Sequence, residues 1–316
     1  MNLTMLLQAA AQGARQAGPP GGPGGPPPGF DYVDAVRQLI QFVGFFLAIG
    51  SIGFHFGIVR RARGLSDEAH QILRADKATA LGMVGVMLLV LTTLGAPYLQ
   101  SITEHKTFAE ALPKNMAPLD FKLAMLVLAF IGFAIVRVAP SFGWTMATIG
   151  VLFTVLQPLY TGRNFAGKVN AVHILAASTW LGTLLVLTII GIRGVIRSAT
   201  AGPQRAALVS DLVNSFSPLA LTAATIVVIT GATTAWLHLK RISALWTTSY
   251  GIALVVKLVL VAMVVVLGAW NWKRVRPSLG AEGTEETIRR SATMELTFAS
   301  LVLIATAVLV TLPSPR

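Results

Sequence analysis

The 316-residue chain contains no cysteine. Disulfides, thiolate metal sites and thiol redox chemistry are thereby excluded. Charge is scarce: 12% of residues are charged, with 13 acids against 25 lysines and arginines, and histidine occurs five times. Among so few ionisable groups there is no nucleophile, base and acid set, no phosphate loop and no zinc-protease motif. We therefore expect no enzyme, and transport, if any, to draw on existing gradients or another subunit.

What the chain does contain is oil. Hydrophobic residues make up 54% of it and the mean hydropathy is +0.70. The helices of soluble domains average roughly 10–14 residues, whereas the apolar runs here approach the ~20 needed to cross a bilayer. Eight spans are predicted, at about 33–59, 76–98, 118–139, 142–161, 167–193, 212–238, 248–272 and 291–312. Only a helix or a closed barrel satisfies its own backbone in hydrocarbon, and the short alternation of barrel strands is missing. The expected fold is an all-α polytopic membrane protein with the lipid bilayer as its solvent.

The net charge of +12 does not point to nucleic acid, because the cations are sorted by loop. Fourteen lie in the loops after the first, third, fifth and seventh spans, among them Arg60, Arg137, Arg193 and Lys273; eight lie on the opposite side, among them Lys106, Arg163 and Arg241. The positive-inside rule then puts both termini outside. Trp236 and Trp246 fall near the outer boundary and Trp144, Trp270 and Trp272 near the inner one, as interfacial anchors would. Residues 1–30 combine MNLTMLLQAAAQ with a Gly/Pro-rich stretch and read as an exported flexible tail.

VDAVRQLIQFVGFF from Val33 aligns with VNAVHILAASTWLG from Val169 at an offset of 136 residues, setting Arg37 opposite His173. Both helices run in the same direction, so the match implies two parallel four-helix halves, residues 31–162 and 163–316.

An ionisable residue inside a span is a functional candidate by default. His173 lies ~9 Å below the start of its helix, sharing a 3-4-3 face with Asn170, Ala177 and Trp180. Gly231, Thr234 and His238 form a second stripe ending on the same side, and His105 and Met116 lie in the loop after the second span. His70 falls in a charged loop, a solvated position. Imidazole suits copper and zinc, and thioether sulfur suits Cu(I). Met83 and Met87 are spaced i,i+4 but read more simply as packing residues. A histidine pair also binds haem iron axially. His55 lies eighteen positions beyond Arg37, roughly 27 Å deeper than His173, which leaves His173 with His238 as the haem-competent pair. Lys257 sits within the seventh span, where the choice is an ion pair with Glu295 or a role in a transport path. Pro158 and Pro218 interrupt their spans.

The blocks VHILAASTWLGTLLVL, FSPLALTAATIVVITGATTAWLHL, YGIALVVKLVLVAMVVVLGAWNWKRVRP and a closing helix with LPSP, across about 167–315, resemble the copper resistance protein D (CopD) family. The resemblance implies an inner-membrane protein of bacterial type that takes copper inward together with a periplasmic copper-binding partner. It carries the family's helix histidine onto His173, its aromatic-glycine turn onto Trp180 and Gly182, its FSP motif onto Phe216, Ser217 and Pro218, and its YG...K block onto Tyr250, Gly251 and Lys257. The chain departs from the pattern at TGRNFAG, where Arg163 replaces a histidine, and at Thr183, where a second glycine is usual. A guanidinium has no lone pair for a metal. The open readings are copper handling through His173 and His238, with His105 or Met116 at the mouth; haem binding or redox activity through His173 and His238; and a structural subunit without metal.

Overall fold

The computed structural model describes residues 31–60, 75–113, 116–197, 203–239, 241–270, 273 and 284–312. The tail 1–30 and Trp272 lie outside them. Eight helices account for the predicted spans: α1 Tyr32–Gly53, α2 Ala75–Thr103, α3 Ala117–Ile135, α4 Pro140–Val155, α5 beginning at Phe165–Ala177, α6 Pro203–Leu239, α7 Ser249–Trp270 and α8 Thr284–Thr311. All but α4 are long and apolar enough to cross a membrane. The protein is a multi-pass, all-α membrane protein.

Local chemistry sets the helix ends. The Asp31 carboxylate caps α1 by accepting from the amides of Val33 and Asp34, both at 3.0 Å. Asn164 does the same for α5, accepting from Gly167 N at 2.9 Å. Proline opens α3 and α4, where its missing amide proton costs nothing. The apolar run predicts a fourth span reaching residue 161. Instead α4 stops after 16 residues, and Pro158 sits in a separate turn, Gln157–Tyr160.

Three segments widen into π-helix: Phe54–Val59 after α1, and Ser178–Gly182 and Leu187–Ile192 along α5. Threonines mark the widened stretches of α5, Thr179 donating to Leu175 O and Thr188 to Leu184 O, both at 2.8 Å. A π turn inserts one residue and rotates the rest of the helix about its axis. Trp180, inside the first widened stretch of α5, is buried in the core at 8% exposure, while Asn170, ten residues earlier, is exposed.

Sequential neighbours pack as antiparallel pairs, α1 with α2, α3 with α4, α5 with α6 and α7 with α8, and α1 also packs on α5. Glycine makes that last contact possible. A Cβ on Gly50 would strike the Gly182 carbonyl, and one on Gly182 would strike the Phe46 carbonyl. Trp144 is no interfacial anchor: at 1% exposure it stacks on His55, centroids 4.1 Å apart and planes 9° from parallel, with Phe133 edge-on. Trp236 and Trp246 are exposed.

Candidate functional site

The polar centre lies where the first turns of α5 meet the last turns of α6. His173 is half-buried on α5, and its Nδ1 lies 3.0 Å from Thr230 Oγ1 on α6. A hydroxyl has one proton, and Thr230 gives it to Ile226 O at 2.6 Å. Toward the imidazole, Thr230 therefore presents a lone pair. This network favours donation from Nδ1, the tautomer that keeps the lone pair on Nε2 for another partner. Gly231 makes room for the ring, since a Cβ there would lie 3.2 Å from His173 Cε1.

His238 repeats this arrangement two turns along α6. Its Nδ1 donates to Thr234 O at 2.8 Å, its Nε2 is again left with the lone pair, and its ring lies parallel to Tyr250 of α7 at 6.2 Å. Thr234 in turn donates to Thr230 O at 2.8 Å. An Nδ1–H held by an oxygen acceptor is the outer-shell pattern of metal-ligating histidines. The two imidazoles are staggered along α6, since Thr230 and His238 are eight residues, or ~12 Å, apart. Two ligands on one ion with ~2 Å bonds come within roughly 4 Å of each other. The arrangement offers successive single-imidazole stations, and no cluster of three or more His, Asp or Glu exists among the described residues.

Lys257 extends from α7 close enough for its charge to act on His173 through space. It has no hydrogen bond among the described residues, and no ion pair joins it to Glu295, which is buried on α8. Ser217 donates to Val213 O at 2.8 Å within its own helix, and the Pro218 carbonyl accepts from Thr222 at 2.9 Å. Arg163 is exposed in the loop before α5, following Gly162 at φ +73.

His105 and Met116 belong to the α2–α3 connection. His105 is exposed and left-handed at φ 52, between Glu104 and Lys106, which pair at 2.6 Å. The Lys106 ammonium, and then the Gln100 amide, hold the Glu104 carboxyl below its usual range. Met116 is half-buried at the head of α3, where its carbonyl accepts from Leu119 N and Asp120 N at 2.9 Å each. Neither residue bonds to His173 or His238.

Two participants escape a reading of the sequence. Thr230 looks like any threonine in an apolar helix until the α5–α6 contact is known. Lys122, inside α3, carries the signal of a charge within a span and shares its neighbourhood with Arg37.

Residues 210–309 match the family model for copper resistance protein D. The match covers about the last third of the chain. Copper transport protein CutJ of Bacillus subtilis (strain 168) is 29% identical over 183 residues, which is 55% of this chain and 32% of that relative. The chain thus spans about a third of the length of the curated relative it matches. No solved structure matches it. The matched segment contains α7, Lys257 and His238; His173 lies ahead of it, joined to it through Thr230.

Proposed function

We propose that the protein carries copper across the membrane, with His173 and His238 as successive ligands on the path. One observation bears most of the weight: both Nδ1 atoms engage oxygens of α6, which leaves both Nε2 atoms for a ligand. The charge sorting of the loops supports an outward position for the end of the bundle where α5 begins, with both termini outside and copper moving inward. The name of the Bacillus relative, a copper transport protein, points the same way. Imidazole binds both copper oxidation states, and a neutral imidazole adds no charge to repel the ion. In this reading the chain performs no covalent chemistry, His105 and Met116 lie on the approach, and a periplasmic copper-binding protein delivers the cargo.

The staggering of the two imidazoles favours copper over haem, because an axial pair must converge on one iron. Purified protein incubated with Cu(I) and freed of excess metal is expected to retain copper by elemental analysis, to show no Soret band, and to lose the His173-bound share of that copper in His173→Ala. A Soret band, or copper retention unchanged in His173→Ala, would contradict the proposal.

A further inference from the structure

The heads of α1 and α5 differ by a coordinated exchange. Asp34 and Arg37 on α1 stand at the positions of Asn170 and His173 on α5, 136 residues on. The same offset relates Gly95-Ala96 on α2 to Gly231-Ala232 on α6, the pair that borders His173, and it relates the ends of those helices, Thr103 and Leu239. On the third helix of each half, Lys122-Leu123 corresponds to Lys257-Leu258 at 135. Packing obeys the same register: where α1 crosses α5, the Phe46 backbone lies against Gly182, its counterpart at 136. Equivalent positions meet on the axis that relates two parallel repeats.

Each half thus brings a lysine from its third helix toward position 37 or 173 of its first. Neither lysine has a hydrogen bond or an ion pair among the described residues. In the second half the space beside Gly231 holds the His173 ring. In the first half Gly95 meets no side chain, and Arg37 instead lines a pocket of about 250 Å³ one step along, between α1 and α2, with Asp31, Asp34, Ala96 and Gln100. Arg37 spans part of it, donating to Asp34 at 2.8 and 2.5 Å and to Gln41 at 3.5 Å.

We infer that the bundle holds two sites of one design and that the first is closed to metal by a built-in cation, the Arg37 guanidinium fixed on Asp34, standing where His173 offers its imidazole in the second. The exchange is balanced in charge. Aspartate with arginine sums to zero, as does asparagine with neutral histidine, so the exchange at these two positions leaves their summed formal charge unchanged. A guanidinium offers donors only. The first half therefore keeps the helix register of the site without its imidazole and without the Thr230 hydroxyl, whose counterpart is Leu94, and cargo uses the second half alone.

The inference rests on the reading of His173 as a copper ligand, and the Asp34→Asn/Arg37→His/Leu94→Thr triple variant, which also supplies the counterpart of Thr230, separates the two. With Cu(I) alone as the probe, copper per chain should rise by one equivalent over wild type. If wild type binds at His173 and the variant gains nothing, the inference falls and the reading stands. If wild type binds none while the variant binds one, the reading of His173 falls and the common design stands. Copper in neither contradicts both. The reciprocal Asn170→Asp/His173→Arg variant should stay monodisperse, with copper reduced by one equivalent. Misfolding of both exchanges would overturn the equivalence of the two sites, and Arg37→Lys, which supplies no imidazole, should gain no copper.

Discussion

At the head of α1 the chain spends two charges, Asp34 and Arg37, bonded at 2.5 Å with the Arg37 side chain 19% exposed. At the head of α5 the matching residues carry none, and an imidazole is oriented by a threonine of the next helix. The difference teaches what a polar site near hydrocarbon can be used for. An ion pair whose partners are both in the chain has satisfied itself, and a foreign cation gains little by approaching. A neutral imidazole with its donor committed and its acceptor open lacks a partner, and a cation can supply one.

The comparison breaks most completely if the halves are forced apart. Gly182→Ala puts a Cβ against the Phe46 carbonyl, and since neither backbone can yield it should destabilise the bundle by about 3 kcal/mol or more. Thermal unfolding in detergent would measure this, and an unshifted melting temperature would show that the α1–α5 contact does not hold the halves together. Next in size is Thr230→Val, which removes the acceptor for His173 Nδ1–H. Copper affinity should fall about 10- to 100-fold with the fold intact, and Thr230→Ser should restore it; equal affinity in the valine variant would mean the tautomer is set by something else.

The two lysines sharpen the comparison further. Lys257→Met removes a positive charge acting on His173, and copper affinity should rise roughly tenfold. Lys122→Met, in the half closed by Arg37, should leave copper affinity unchanged. Similar effects from both would argue against a single working site. The smallest effect concerns the α2–α3 connection, whose short helix Phe108–Ala111 recurs 136 residues on as Ala244–Thr247 but without a side-chain cap there. In the first half the Thr107 backbone amide, and then its hydroxyl, hold the Glu110 carboxyl below its ordinary 4.5 and complete a capping box on Phe108–Ala111. Because the folded carboxyl is depressed, the cap is fully present at neutral pH and is lost as pH falls through the folded value, below that ordinary one. Amide exchange at Thr107 should stay slow to that point and then quicken; quickening near neutrality would contradict the assignment.

Much of the bundle was legible because bilayer thickness imposes run length, and run length survives in sequence without any partner. The predicted first span, 33–59, and the observed Tyr32–Val59 differ by one residue at the start for that reason. What sequence conceals is rotation. Asn170 and Trp180 share a face by spacing, yet one is exposed and the other is buried within the π turn at Ser178–Gly182, and no periodicity shows such a turn in advance. Trp144 failed as an anchor because position near a span end does not say whether a ring faces lipid or His55. Within the site, His173 was visible as a lone imidazole in oil, whereas Thr230 and the approach of Lys257 are long-range facts that only packing creates. Lys122 was readable by the same rule as Lys257, and its meaning emerged only beside its counterpart.

X-ray absorption at the copper edge of Cu(I)-loaded protein tests the central claim most directly. Imidazole nitrogen scattering should dominate the wild-type spectrum and lose the His173 contribution in His173→Ala, with the residual signal coming from His238. A wild-type spectrum without imidazole scattering, or one that His173→Ala leaves unchanged, would contradict it.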